Sequence, residues 1–171
     1  MLNILRRSSA ERAAAERLLA SIISRSRDPY FFEQLSVPDT LDGRFDLAAL
    51  HAWIALERLG QLGRRSMAQR LTDALFTSFD EGLRELGAGD MGMGRRMKQI
   101  ANAFYGRMAA YRGAAGGAQL AESLQRNVYR GASGRSNEAS LLARYVETAI
   151  ATVAANDLQE GALDFGPLPR E

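Results

Sequence analysis

An apolar stripe with the spacing of one helix face is the sequence feature that most constrains this fold. Its members step by four, three, four, four and three residues: Met93, Met97, Ile100, Phe104, Met108 and Tyr111. That spacing places all six side chains on one side of an α-helix. No alternating apolar pattern typical of a strand occurs over a useful length elsewhere in the chain. We therefore predict an all-α fold, a single-domain bundle of about six helices.

Further helices are predicted over residues 9–25, 47–62, 67–86, 118–129 and 137–155. Asp46 is well placed to cap the second of these, because a carboxylate accepts hydrogen bonds from the first free amides of a helix. Ser66 and Gln69 have the spacing of a capping box for the third helix, and Gly87 is expected to end it. The chain thus divides into an amphipathic helix (1–27), a helical domain (28–156) and an acidic flexible tail (157–171).

Residue composition excludes several kinds of active site. The chain has no cysteine, which rules out disulfides, thiol nucleophiles and thiolate metal sites. His51 is its single histidine, so no two-histidine metal motif can exist. A hydrogen-bonded structural role suits His51 better than a base or a haem ligand, because it lies within an apolar helix. No catalytic residue, bound cofactor or metal ligand is predicted.

Glycines and methionines between the third and fourth helices have simple structural interpretations. The glycines from Gly87 to Gly94 follow a helix, whereas phosphate-binding loops follow a strand. We interpret them as a helix end and a tight turn. Met91, Met93 and Met97 could bind a soft metal such as Cu(I), but methionine more often fills a core. Core packing is therefore the preferred role.

No uncharged apolar run approaches the roughly 20 residues that span a bilayer. Residues 1–27 are rich in arginine and serine, yet Glu11 and Glu16 are atypical of an organellar transit peptide. We predict a cytoplasmic protein that acts at the inner face of a membrane. An alternative is a peripheral membrane protein whose first helix lies on lipid.

Charge is unevenly distributed along the chain. Residues 73–90 hold five acids and one base, whereas residues 91–121 hold five bases and no acid: Arg95, Arg96, Lys98, Arg107 and Arg112. Such a basic helix requires an anionic partner. The preceding acidic helix is slightly favoured, and RNA phosphate, anionic lipid or an acidic protein surface is the alternative. No base-reading motif is present, so sequence-specific nucleic-acid binding is not expected.

Several short segments, in this order, resemble the ubiquinol–cytochrome c chaperone family. They are Val37-Pro38-Asp39-Thr40 with Gly43-Arg44-Phe45; Leu50-His51; Gly87-x-Gly89-Asp90 through Gly94-Arg95-Arg96-Met97-Lys98; Ala103-Phe104-Tyr105-Gly106-Arg107; and Leu124-x-Arg126-Asn127-Val128-Tyr129. The resemblance covers roughly residues 30–155. It implies a helical, non-enzymatic chaperone that binds cytochrome b during assembly of the bc1 complex. The length is that of the short, bacterial-type members.

The distribution of charge and aromatic residues predicts two kinds of surface for such a chaperone. An apolar or aromatic groove would hold the client, for which we name Tyr30, Phe31, Phe32, His51 and Trp53. The five bases named above would face an anionic partner, such as the ribosome or an anionic membrane surface. A second chaperone subunit is a further partner consistent with the family. A small helical enzyme or haem carrier that uses His51 is the remaining alternative.

Overall fold

The computed structural model describes residues 2–85, 90–114, 116–158, 160–161 and 163–169, with side chains for all of these except 2–8, 90 and 91. Seven helices make up the described chain: α1 (Leu2–Ser26), α2 (Pro29–Glu33), α3 (Leu41–Gln61), α4 (Arg65–Glu85), α5 (Asp90–Arg112), α6 (Gly117–Asn127) and α7 (Ser136–Ala154). Six are long and α2 has five residues, so the predicted all-α bundle of about six helices is confirmed. The predicted helix end at Gly87 lies outside the described residues.

Helix α3 is the centre of the bundle. It contacts α1, α4, α5 and α7, and every residue from Asp46 to Ala55 is buried. The surrounding helices each bury an apolar stripe against this core; its largest contributors include Leu18, Ile22, Leu71, Leu75, Phe104, Leu142 and Val146. Four members of the predicted α5 stripe are buried as expected: Met93, Phe104, Met108 and Tyr111. Met97 and Ile100 are half-buried.

Helix α3 begins earlier than the sequence predicts. Thr40 is its N-cap, and the Thr40 hydroxyl accepts a hydrogen bond from the Gly43 amide at 3.1 Å. Asp46, predicted as the cap, instead lies one turn inside the helix and is fully buried. The prediction started this helix at residue 47 because glycine, here Gly43, is typical of turns. Here it permits the chain to pass close to the Pro38 carbonyl.

Helix α4 also begins without its predicted capping box. The Ser66 hydroxyl donates to Glu11 at 2.8 Å, and the Gln69 amide donates to Asp73 at 2.8 Å. Arg70 lies 3.6 Å from the same Glu11 carboxylate. The polar residues at this end of α4 therefore attach it to α1 rather than cap it. The apolar face of α1, including Leu18 and Ile22, is buried in the core.

The aromatic segment after α1 and the tail after α7 are both incorporated into the core. Tyr30, Phe31 and Phe32 lie on α2, whose Pro29 occupies its first turn and whose Asp28 cap accepts from the Tyr30 amide. The sequence predicts a loosely held tail from residue 157, whereas the structure buries Leu158 and Phe165. The buried Phe165 ring anchors the tail, and the composition of the tail did not predict this anchor.

Replacement of Gly43 by alanine is expected to destabilise the fold. The added Cβ would lie 1.9 Å from the Pro38 carbonyl oxygen, so the backbone must shift. We expect the free energy of unfolding in urea to fall by at least about 2 kcal/mol. Gly82→Ala, inside α4 with open space around it, is the control and should gain up to about 1 kcal/mol. Equal effects of the two substitutions would contradict the close approach.

Candidate functional site

The basic residues of α5 fall into two groups with different surroundings. Arg107 and Arg112 have ion-pair partners on α3, whereas Arg95, Arg96 and Lys98 are exposed and pair with no residue that the structure describes. The prediction that the acidic helix α4 neutralises the α5 bases is wrong for Arg107 and Arg112. These ion pairs were not predicted, because Asp46 and Glu57 lie far along the chain from the arginines that they contact.

A buried ionic cluster joins α3, α5 and the loop between α6 and α7. Arg107 Nη2 lies 2.5 Å from Asp46 Oδ1, and Arg130 Nη2 lies 3.4 Å from Asp46 Oδ2 and 3.2 Å from Asp42. The Arg107 guanidinium also stands over the Phe45 ring at 5.0 Å. Burial raises the pKa of Asp46 to about 6, against the opposing effect of the two arginines. Arg107, predicted to face an external anion, therefore joins α5 to α3, and Arg130 attaches the loop after α6 to the same Asp46.

Arg112 has an internal partner that is closer to solvent. Its guanidinium forms a hydrogen-bonded ion pair with Glu57 on α3, with Nε 2.8 Å from the carboxylate. Exposed pairs of this kind contribute little to stability. Among the five predicted anion-binding residues, the structure thus leaves Arg95, Arg96 and Lys98 available on the surface. Helix α5 begins at Asp90, so these cations lie beyond its first turn, where the macrodipole has little effect.

A row of aromatic rings crosses α3, α4 and α5 and reaches the surface at Tyr105. Phe45 packs on Phe79 at 5.1 Å between ring centroids, Phe79 on Phe76 at 6.0 Å, and Phe76 stacks on Tyr105 at 6.1 Å. Tyr105 is 57% exposed. It lies seven residues from Lys98, about two helical turns along the same side of α5. The surface position of Tyr105 is not among the predictions from the sequence. The signal for it was that Tyr105 does not belong to the apolar stripe that α5 buries.

The five predicted client residues lie mostly in the core. Phe31, His51 and Trp53 are buried, whereas Tyr30 and Phe32 are half-buried. One group of contacting rings, on α2 and α3, contains Tyr30, Phe31 and His51. Trp53 contacts a different ring, that of Tyr111 on α5. Phe31 and His51 are closed off from the surface, whereas Trp53 lines a cavity of about 330 Å³ together with Glu57 and Arg112. Contact of the three buried rings with a client remains a prediction.

Both ring nitrogens of His51 are occupied. Nδ1 lies 2.7 Å from the Leu47 carbonyl, which can only accept, so Nδ1 carries the proton. Nε2 then accepts from the Tyr145 hydroxyl at 2.8 Å. Burial lowers the pKa of His51 to about 4. The hydrogen-bonded structural role predicted for His51 fits this geometry, and no lone pair is left for a haem iron.

Neither a metal centre nor a membrane span emerges from the described residues. Among them, no group of three or more His, Asp or Glu side chains could hold a metal ion. Within the same residues, every helix is too short or too polar to cross a bilayer.

These features define an all-α protein with an exposed face on α5 that is both cationic and aromatic. The model of the ubiquinol–cytochrome c chaperone family matches residues 33–160. The chain is 32% identical to the Cbp3 homolog from Brucella abortus, whose crystal structure superposes with a TM-score of 0.85 over 98% of both chains. This chain belongs to the ubiquinol–cytochrome c chaperone family.

Curated relatives include two vertebrate proteins. The chain is 27% identical over 100 residues to ubiquinol–cytochrome c reductase complex assembly factor 1 from Xenopus laevis and 26% identical over 100 residues to the mouse protein of that name. These alignments cover 57% of this chain, but only 50% and 34% of the two relatives.

Removal of Arg107 is expected to destabilise the protein strongly. Arg107→Leu leaves the Asp46 carboxylate buried beside a more distant arginine, and breaking a buried pair typically costs about 3–5 kcal/mol. Arg112→Leu, which breaks the more exposed pair with Glu57, should cost no more than about 1 kcal/mol. Urea unfolding at pH 7 measures both. Comparable losses would show that the Asp46 cluster is not a special constraint.

His51 is expected to make stability fall as the pH drops below about 6.5. Its pKa is lower in the folded state, so the unfolded chain takes up a proton first and stability is lost between pH 6.5 and 4. Between pH 7 and 5 the unmodified protein should lose on the order of 2 kcal/mol more than His51→Gln. Asp46 titrates in the opposite sense, so only this comparison isolates His51. Parallel pH profiles of the two proteins would contradict a buried neutral imidazole.

Proposed function

We propose that this protein is a non-enzymatic assembly chaperone for the cytochrome bc1 complex, and that cytochrome b is its client. The observation that carries the proposal is the family match over residues 33–160, together with a fold shared along 98% of the Cbp3 homolog. The assembly factors from Xenopus laevis and mouse support the same role. The chaperone would act in the cytoplasm, at the inner face of the membrane that receives the client.

The exposed face of α5 suits an anionic partner. Arg95, Arg96 and Lys98 have no ion-pair partner among the described residues, so their charges are not already neutralised by the fold. Arginine forms planar, paired contacts with phosphates and carboxylates, which suits RNA, lipid headgroups or an acidic protein surface. We propose that these three residues contact the anionic partner, whereas Arg107 and Arg112 position α5 against α3.

The lipid-binding alternative has less structural support. It relies on the apolar stripe of α1, yet Leu18 and Ile22 of that stripe are fully buried in the core. From residue 9 onward, the apolar face of α1 therefore packs against the protein itself. The cationic face of α5 remains able to meet an anionic membrane, and that source of negative charge is one outcome of the following experiment.

Reversal of charge at Arg95 and Arg96 is expected to weaken capture of the client complex. The tagged protein with Arg95→Glu and Arg96→Glu should recover cytochrome b from its native host about tenfold less than the unmodified protein, because like charges then oppose the anionic partner. Quantitative mass spectrometry provides the measurement, and ribosomal proteins and lipids in the same samples identify the anion.

Arg64→Glu with Arg65→Glu is the charge-matched control, placed where the turn after α3 meets the first residue of α4, and it should capture cytochrome b normally. Circular dichroism confirms that each variant folds. If all three proteins capture cytochrome b equally, the α5 face has no role. If none captures it, the proposed client is wrong.

A further inference from the structure

The C-terminal segment, described at residues 156–158, 160–161 and 163–169, lies in a groove of the helical body. It contains no helix or strand. Three arginine side chains donate to its backbone carbonyls: Arg58 to Asn156 at 2.9 Å, Arg17 to Glu160 at 2.5 Å and Arg25 to Gly166 at 2.8 Å. Backbone carbonyls are common to every polypeptide, so these contacts do not depend on the sequence of the bound segment.

The segment runs directly against the helices at two glycines. A Cβ at Gly161 would lie 2.4 Å from the Ala14 carbonyl oxygen on α1, and one at Gly166 would lie 2.7 Å from the Thr152 hydroxyl on α7. Both glycines have positive φ, at 73° and 76°, a conformation that glycine adopts without strain. The groove therefore holds the backbone closely at these two points, and one aromatic side chain is fully buried between them.

That side chain is Phe165, which enters a pocket made of aromatic rings. The aromatic pocket comprises Phe31, His51 and Tyr145, whose rings contact one another at centroid distances of 5.2–5.7 Å. The Phe165 ring meets His51 edge to face at 4.8 Å and is 1% exposed. Of the residues predicted to bind a client, His51 thus contacts the segment directly, and Phe31 packs against His51.

Beyond Asn156, side-chain contacts rather than backbone–backbone hydrogen bonds attach the described segment to the helical body. In the described residues, no backbone–backbone hydrogen bond joins residues 157–169 to the helical body. The hold consists of arginine side chains, buried Leu158 and Phe165, and half-buried Leu163 and Leu168. A cavity of about 750 Å³ lined by Tyr30, Leu35, Leu141 and residues 167–169 continues the groove beyond Phe165. A segment held in this way can leave without disrupting the hydrogen bonds of any helix.

We propose that the aromatic pocket is a binding site for an aromatic side chain on an extended client segment, and that Phe165 occupies it in cis until the client displaces the C-terminal segment. The proposal deepens the chaperone function and depends on it for the identity of the client. The arginines would take the carbonyls of the client backbone, and the adjacent cavity would take its further apolar residues. Occupation by Phe165 protects the pocket from water when no client is present and lowers the apparent affinity for weak ligands.

The first test uses the full chain and its own tail as the probe. A fluorescent peptide with the sequence of residues 156–169 should bind the Phe165→Ala protein at least about tenfold more tightly than the unmodified protein, because the cis competitor has lost its anchor. The same peptide with alanine in place of the phenylalanine should not bind. Glu160→Ala is the control: it shortens an exposed tail side chain, keeps the backbone carbonyl that Arg17 contacts, and should leave peptide binding within about twofold of the unmodified protein.

Fluorescence anisotropy measures the affinities, and circular dichroism shows whether each variant is folded. A folded Phe165→Ala protein that fails to bind the peptide overturns the proposal. So does peptide binding that is indifferent to the phenylalanine. The assay contains no bc1 component, so it can succeed or fail independently of the proposed function.

The second test uses the unmodified protein and therefore does not depend on a variant that folds. Amide hydrogen exchange under native conditions should be at least about 100-fold faster in residues 163–168 than around His51 in α3, because the segment opens alone. Arg25→Gln, which removes one hold on the segment, should accelerate exchange in residues 163–168 further. If the segment and α3 exchange at the same rate, the segment opens only by global unfolding and the proposal is wrong.

Discussion

Complete burial of the middle of α3 is the constraint on which the rest of the structure depends. Partners for polar side chains matter most in a helix enclosed on all sides, because an unpaired buried group is costly. Asp46 and His51 are such side chains, and their partners come from α5, α7 and the loop after α6. The arrangement of the outer helices is thus tied to two polar residues of the central one, in addition to the apolar packing.

This constraint separates basic residues that build the fold from those that remain for a partner. Arg107 and Arg112 belong to the same helix and the same charge run as Arg95 and Arg96, yet α3 engages only the first two. The cationic face and exposed Tyr105 lie on the outside of α5, while the aromatic pocket lies around His51 and is closed by Phe165. The described residues thus include an exposed cationic face on α5 and an aromatic cluster that Phe165 covers.

The sequence predicts those parts of the fold that depend on local periodicity. The α5 stripe and the approximate limits of the long helices follow from spacing alone, as Met93, Phe104 and Met108 show. The ends of helices were less predictable. Thr40 was overlooked as a cap because Asp46 has an equally suitable side chain, and only the distant Arg107 explains why Asp46 lies inside the helix instead.

The candidate sites were harder to predict, because they depend on contacts between residues far apart in the chain. Pairing of Glu57 with Arg112 spans 55 residues, and the contact between His51 and Phe165 joins the centre of the bundle to a segment rich in glycine and proline. Composition alone made that segment resemble a loose tail. An isolated aromatic residue within such a segment was the signal that could have indicated an anchor.

The role in bc1 assembly is tested most directly by deleting the gene in the native host and measuring the complex itself. Difference spectra of the membranes, together with immunodetection of cytochrome b, report how much bc1 complex is assembled, and an unrelated respiratory complex serves as the reference. The account predicts that cytochrome b and the bc1 complex are lost selectively and are restored by the unmodified gene. Normal levels of bc1 complex in the deletion strain, with no related gene present, would contradict it.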